Sequence, residues 1–252
     1  MPSSKSVRRT FLQRCCGALA LCAALTGARD IAAESRAVIA DVRPLEAVLI
    51  GSSSFNQDFG RIIQRELGRM GYHVTRKAVS GAGLARPDFH DMNRELEALP
   101  ISSNTAAVFV YLGVNDAQAV WLPPHERDGS GLVWLPFGTE DWEAAYARRT
   151  REFLGRICER GARRAVVLLP IDVNRPDLQQ RLHRIRDVQE RAASITTCAV
   201  TVETAGDLGD FEVAGVHKRM RDGFHMSTLG AHIVWERIQP EVRSLLGVEP
   251  GD

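Results

Sequence analysis

Three short stretches of this chain carry residue types that could assemble a hydroxyl nucleophile. Gly51-Ser52-Ser53-Ser54 follows the apolar run Val48-Leu49-Ile50, Gly113-Val114-Asn115-Asp116 follows a second apolar run, and Asp222-Gly223-Phe224-His225 lies near the C-terminus. A serine hydroxyl attacks well only when a base takes its proton and a third group holds that base in the right tautomer. His225 with Asp222 three residues earlier can supply both, because a short turn lets the carboxylate reach the ring nitrogen that faces away from the serine. The carboxamide of Asn115 can donate to an oxyanion, and so can backbone N–H groups at Ser53 and at a glycine. Each stretch also has a plainer reading. Asp-x-x-His alone is a common surface turn, Gly-Val-Asn-Asp a strand-ending turn, and the serines a cap for the next helix. Their order, each just past a strand end, favours the chemical reading.

The elements needed to position them are legible as alternating patterns. Glu46–Ile50, His73–Val79, Ala106–Leu112, Ala165–Leu169 and Ala199–Val202 read as strands, several of them apolar on both faces. Between them, Phe59–Met70, Trp142–Arg160 and Leu178–Ser194 carry apolar residues at helical spacing. Arg94–Leu99 reads as a brief helix, and Met226–Leu246 as a closing helix interrupted near Pro240. Buried strands alternating with helices predict an α/β fold, a mainly parallel five-stranded sheet in a three-layer α/β/α sandwich. Such sheets bind ligands outside the carboxyl ends of their strands. The stretch 121–138 breaks the alternation. It reads as a hairpin about Asp128-Gly129 that overhangs the site, either a carbohydrate-binding lip or a rigid connector.

Residues 1–33 read as an export leader rather than as part of the fold. Lys5, Arg8, Arg9 and Arg14 precede a short apolar run with small-residue cleavage points at Ala28 and Ala33. Ser6-Val7-Arg8-Arg9-Thr10-Phe11-Leu12-Gln13 resembles a twin-arginine signal. The run is too short to span a bilayer, which needs about 20 residues. The expected location is therefore periplasmic or secreted, with no membrane anchor once the leader is removed. Residues 34–252 make one domain. The formal charge of +1 belongs partly to the leader, and the remainder has 27 basic against 30 acidic residues. Nothing in that balance calls for a nucleic-acid partner. Cys158 and Cys198 remain after the leader, as a bridge or as two buried thiols; no metal-ligand spacing is present.

On Gly113, Asn115, Asp116, Asp222 and His225, in this order, the chain resembles the SGNH hydrolases, the GDSL esterase/lipase superfamily. The resemblance covers nearly all of 34–252 and implies a flavodoxin-like SGNH fold. It implies Ser53 as nucleophile, His225 as base and Asp222 as its orienting acid. The oxyanion hole would be formed by Ser53, Gly83 and Asn115, with Gly81 the second choice for the glycine. Gly83-Leu84-Ala85-Arg86-Pro87-Asp88-Phe89, Asn115-Asp116-Ala117-Gln118, and Trp142, Tyr146 and Arg149 are similar to an exported bacterial subfamily of poorly defined substrate. One position departs from the pattern: Ser52 stands where the family has Asp, which leaves Ser52 and Ser54 as alternative nucleophiles.

The expected activity is hydrolysis of an O-acyl ester, acetyl above all, on a small molecule or a cell-wall or other glycan. It would need neither cofactor nor metal. An O-acetyltransferase would use the same acyl-serine. A non-catalytic glycan-binding or assembly protein would retain the fold, and Ser52 is the feature that favours it. A phosphate-binding flavodoxin-like protein fits poorly, because the first loop lacks the glycine spacing and lysine of a phosphate cradle. Arg86 and Arg149 either contact an anionic substrate or pair on the surface with Asp88 and Glu152, and surface pairing is the expectation.

Overall fold

The computed structural model describes residues 45–127, 129, 131–206, 212, 213 and 215–248. The expected leader and Asp128 lie outside the described residues. Strands β1 (Glu46–Gly51) and β3 (Thr105–Tyr111) are almost wholly buried, as the unbroken apolar runs require. With β2 (His73–Ala78), β6 (Ala165–Leu168) and β7 (Ala199–Val202) they form one parallel sheet in the order β2-β1-β3-β6-β7. Successive side chains leave a strand on opposite faces. Val48, Ile50, Val108, Val110 and Val167 therefore enter one apolar layer, while Leu49, Phe109, Tyr111, Val166 and Leu168 enter the other.

Helices close both layers. On the first, α4 (Glu140–Glu159) contributes Trp142, Tyr146, Phe153 and Ile157, and α5 (Pro176–Ser194) contributes Ile185 and Val188. The short helix α3 (Met92–Glu97) adds Met92 and Leu96. On the second lie α1 (Ser53–Asn56), α2 (Asp58–Arg69) and α6 (Thr228–Leu246), with Phe55, Ile63, Leu67, Val234 and Ile238. The result is the expected three-layer α/β/α sandwich. Because β1 has β2 on one side and β3 on the other, the chain reverses direction across the sheet at β1. The crevice at such a switch point opens beyond the carboxyl ends of β1 and β3.

Four expectations need correction. The brief helix begins at Met92, because Asp91 caps it by accepting from the N–H groups of Asn93 and Arg94. The last helix begins at Thr228, where the Ser227 hydroxyl accepts from the Gly230 N–H, and it runs unbroken through Pro240. Proline removes the bond to the carbonyl four residues earlier; here both Pro240 and Glu236 are exposed, so water can serve that carbonyl. The hairpin pairs only β4 (Val120–Trp121) with β5 (Trp134–Leu135), and a 3-10 turn at Pro124–Glu126 intervenes, so its loop is long rather than tight. Helix α1 was not anticipated at all. A third small pair joins β8 (Glu212–Val213) to β9 (Val216–His217). Cys158, in the last turn of α4, is bridged to Cys198, just before β7, with Cα atoms 5.7 Å apart. That decides between the two states the cysteines left open.

Candidate active site

Ser53 is the first residue of α1, two positions beyond the end of β1. Its turn is held by backbone bonds: Ser52 N–H to Tyr111 O, Phe55 N–H to Ser52 O, Gln57 N–H to Ser53 O and Val79 N–H to Gly51 O. Ser52 and Ser54 are buried in this turn, whereas Ser53 is only partly covered and its Oγ lies 2.7 Å from His225 Nε2. The Ser52 side chain makes no capping bond to α1. The serines are thus not a cap, and Ser53 alone of the three reaches the histidine. The first N–H groups of a helix have no intrahelical partner, which leaves the Ser53 N–H available as a donor.

The histidine is oriented by its own turn. Asp222 Oδ2 is 2.7 Å from His225 Nδ1, and Asp222 Oδ1 accepts from the backbone N–H groups of Phe224 (3.0 Å) and His225 (2.9 Å). Burial raises the carboxyl pKa, but these N–H bonds and the ring beside it outweigh that and hold it below the usual range. The carboxylate therefore stays ionised and fixes the ring with Nε2 toward Ser53. Residues 218–220 brace the turn from behind: Met220 N–H donates to His225 O, Ser227 N–H to Lys218 O, and Arg219 Nη1 to Phe224 O at 2.9 Å. Arg219 is buried, and desolvation lowers its pKa to about 10. No sequence signal marked it.

Asn115 sits in a 3-10 turn (Val114–Asp116) just past β3, entered through Gly113 at φ +134°, where a Cβ would strike Pro170. One N–H of its carboxamide donates to Ala82 O at 2.9 Å, and a carboxamide has a second to give. The next residue, Asp116, is fully buried beneath the Gly83 loop. Its Oδ1 accepts from Ala85 N–H at 2.7 Å and its Oδ2 from Tyr146 OH at 3.2 Å. A Cβ on Gly83 would stand 2.3 Å from Asp116 Oδ1, so only glycine permits this approach. Gly81, by contrast, is exposed and lies against Phe89. The same layer explains Trp142 and Arg149. Trp142 Nε1 donates to Gln118 O, and Arg149 donates to Leu84 O, Ala85 O, Trp121 O and Glu126 Oε1.

Arg149 is therefore a buried clamp on three loops, not a surface partner of Glu152; Arg148 faces Glu152 at 3.9 Å. A guanidinium has five donors in a fixed fork, which suits gathering carbonyls from separate segments. Arg86 does pair with Asp88, at 2.9 Å.

Burial pushes Asp116 up to about 6, although the bonds from Ala85, Tyr146 and Leu84 and the charge of Arg149 oppose it. Between the ordinary carboxylate pKa and about 6, the folded protein holds this proton and the unfolded chain does not. Stability from this group is thus present at low pH and lost as the pH rises through about 6. Relative to Asp116→Asn, the natural protein should lose on the order of 2–3 kcal/mol between about pH 4 and pH 7. Paired denaturant titrations at the two pH values would measure it; parallel pH profiles would show that Asp116 is ionised throughout.

Among the described residues no cluster of His, Cys, Asp or Glu could hold a metal, and no helix is long and apolar enough to cross a membrane. A cleft of about 640 Å³ beside Gly83, Trp121 and Arg149 includes neither Ser53 nor His225.

The arrangement can transfer an acyl group: a hydroxyl on a base, the base on a carboxylate, and donors from two neighbouring strand ends. The chain matches, over residues 46–241, the family described as "Protein of unknown function (DUF459)". No curated protein matches it. It is similar in structure to a variant of Axe2, an acetyl xylan esterase from Geobacillus stearothermophilus, at 15% identity and a TM-score of 0.53, covering 82% of this chain and 97% of that one. A carbohydrate esterase family 3 from Talaromyces cellulolyticus gives 12% and 0.52, covering 81% and 98%. The psychrotrophic esterase EstA from Pseudoalteromonas sp. gives 10% and 0.53, covering 81% and 99%. At such identities the likeness is one of fold, which GDSL-type lipolytic proteins from Parabacteroides merdae and Veillonella parvula share. With a family model spanning most of its length and an overall likeness of fold to these structures, the chain belongs to the DUF459 family and has the fold of the SGNH hydrolases.

Proposed function

We propose that this protein is an exported serine ester hydrolase acting on O-acyl esters, acetyl esters in particular, of a glycan. The observation that carries the reading is the continuous chain Ser53 Oγ–His225 Nε2 and His225 Nδ1–Asp222 Oδ2, with both links at 2.7 Å. Ser53 Oγ attacks the ester carbonyl carbon while its proton passes to His225 Nε2, and Asp222 stabilises the imidazolium. The carbonyl electrons move to the oxygen, which accepts from Asn115 Nδ2 and from the N–H groups of Ser53 and Gly83. Collapse breaks the bond to the alcohol, which leaves with the proton from His225, and an acyl-serine remains. Water then repeats the sequence: His225 takes its proton, the acid departs and Ser53 is restored. Each oxyanion donor typically contributes about 2.7–4 kcal/mol to such a transition state.

The Asp that the family places at position 52 shapes the nucleophile turn. Here the backbone bonds of Gly51–Ser53 to β3, α1 and Val79 perform that task, so its replacement by serine leaves the geometry of Ser53 intact. Export is supported by the leader pattern of residues 1–33 and by the Cys158–Cys198 bridge, since disulfides persist in oxidising compartments. The acetyl and glycan assignment is supported by two similar structures, one an acetyl xylan esterase and the other a carbohydrate esterase. The test is covalent labelling with a fluorophosphonate probe, followed by mapping of the modified peptide. Modification at Ser53 that requires His225 supports the hydrolase; a chain that resists the probe while p-nitrophenyl acetate stays intact overturns it and leaves a glycan-binding role.

A further inference from the structure

Two cavities flank the Asp222–His225 turn, and arginines line both. One, of about 280 Å³, lies between Ala117, which follows Asn115–Asp116, and the start of α5, where Arg175, Asp177 and Arg181 contribute. The other, of about 180 Å³, is lined by His217, Arg219 and Arg221 together with Asn174 and Gly223. They adjoin at Gly223. Asn174 N–H donates to Gly223 O at 2.9 Å, and Arg175 Cγ lies 3.5 Å from where a Gly223 Cβ would stand. Arg175, Arg219 and Arg221 thus border the turn that carries His225, Arg181 lies in the same cavity as Arg175, and Asp177 is the one carboxylate among the described lining residues of the two cavities.

This charge is local. Beyond the leader the chain has 27 basic and 30 acidic residues, so a cationic rim is not its general background. Asp172 and Asp222 lie near the buried Arg219, and they are also engaged by Arg186 at 2.7 Å and by His225. Arg181 is held in place, donating to Ala117 O at 2.9 Å with its guanidinium 5.1 Å from the Phe137 ring centre. Arg175 is exposed and forms no ion pair among the described residues. On the far side of Asn115, the exposed Trp134 has Arg86 packed on its ring at 4.6 Å, and Arg86 and Gln118 link that face to the Asn115 carbonyl. An aromatic face beside fixed polar groups suits a sugar ring, apolar on its C–H faces and polar at its rim.

We propose that the ester is carried on an acidic glycan, whose carboxylate binds at Arg175 and Arg181 while the acyl group faces Ser53. This rests on the reading of the site as an ester hydrolase. The planar fork of a guanidinium matches a carboxylate in two parallel bonds, and a cationic rim also speeds the approach of a polyanion.

The experiment compares acetate release from O-acetylated polygalacturonate and from acetylated xylan, at about 20 mM and about 500 mM NaCl. At low salt kcat/KM should be about tenfold or more higher on the polyuronate, and high salt should remove most of that preference. Arg175→Glu should cut the preference at least about fivefold, and Arg175→Lys should keep most of it. Equal rates on the two polymers, or a preference untouched by Arg175→Glu, overturn the proposal. A second measurement needs no turnover: calorimetric binding of trigalacturonate and of xylotriose to the Ser53→Ala protein. Preferential binding of trigalacturonate that Arg175→Glu weakens about tenfold supports the anion site. Equal or absent binding of both overturns it even if p-nitrophenyl acetate is hydrolysed. Loss of p-nitrophenyl acetate hydrolysis with trigalacturonate binding intact counts instead against the hydrolase.

Discussion

Ser53→Ala and His225→Ala should each lower p-nitrophenyl acetate hydrolysis by about 10³-fold or more, to the rate that binding and oxyanion donors alone support. The double variant should be no slower than either single one. Nucleophile and base act as a unit, so removing the second group takes away nothing that the first removal left working. The Ser53–His225 contact of 2.7 Å is the physical ground for that expectation. Ser52→Ala is the informative companion. Its hydroxyl makes no capping bond and its position is fixed through backbone groups that alanine retains, so activity should stay within about tenfold. If Ser52→Ala instead abolishes activity while Ser53→Ala does not, the nucleophile has been misassigned. Circular dichroism and thermal melts of the three variants separate loss of chemistry from loss of fold.

The second large effect concerns stability. The Cys158–Cys198 bridge closes a loop with a sequence separation of 40 residues and ties the end of α4 to the strand at the sheet edge. Loop-closure entropy for that span gives about 4 kcal/mol. For a domain of this size, that corresponds to a fall in Tm of about 8–16 °C. Replacing both cysteines by serine, or reducing the protein before the melt, should show it. A Tm unchanged within about 2 °C would mean that the α4–β7 junction is held by packing alone, so that the unfolded chain gains little from losing the bridge. The catalytic rate at room temperature should be preserved in the serine pair, because the bridge sits at the start of β7, whereas Ser53 and Asn115 follow the carboxyl ends of β1 and β3. That combination, a stability loss without an activity loss, distinguishes the bridge from the site.

The parts of the site differ in how far they could be read from residue order. Ser53 and Asn115 announce themselves because each sits just beyond an apolar run, and strand ends in a parallel sheet point to one edge; Asp222 and His225 follow no such run and are legible only from their three-residue spacing. The supporting groups give no such sign. Arg149 reads as a helix-face arginine with an acidic neighbour; only when α4 packs under the loops does it meet the carbonyls of Leu84, Ala85 and Trp121. Arg219 lies in an irregular segment with no periodicity, and it becomes the brace of the His225 turn only through a carbonyl five residues on. Asp116 looks like one more turn residue until the Gly83 loop covers it.

From order and type alone, the sequence determined the layered α/β architecture, and it proposed the candidate reacting groups and a candidate export leader. Strand burial leaves long apolar runs and helix burial a 3.6-residue period, both of which survive in a linear string. Tertiary structure decided which of three adjacent serines faces His225, that the cysteines are joined, that Pro240 lies within a helix, and that Arg219 braces the His225 turn. Those outcomes depend on distances between segments up to 172 residues apart. A one-residue step along a turn redirects a side chain entirely, and local propensity does not encode it. Only closure of the sheet and its two helical layers fixes such distances.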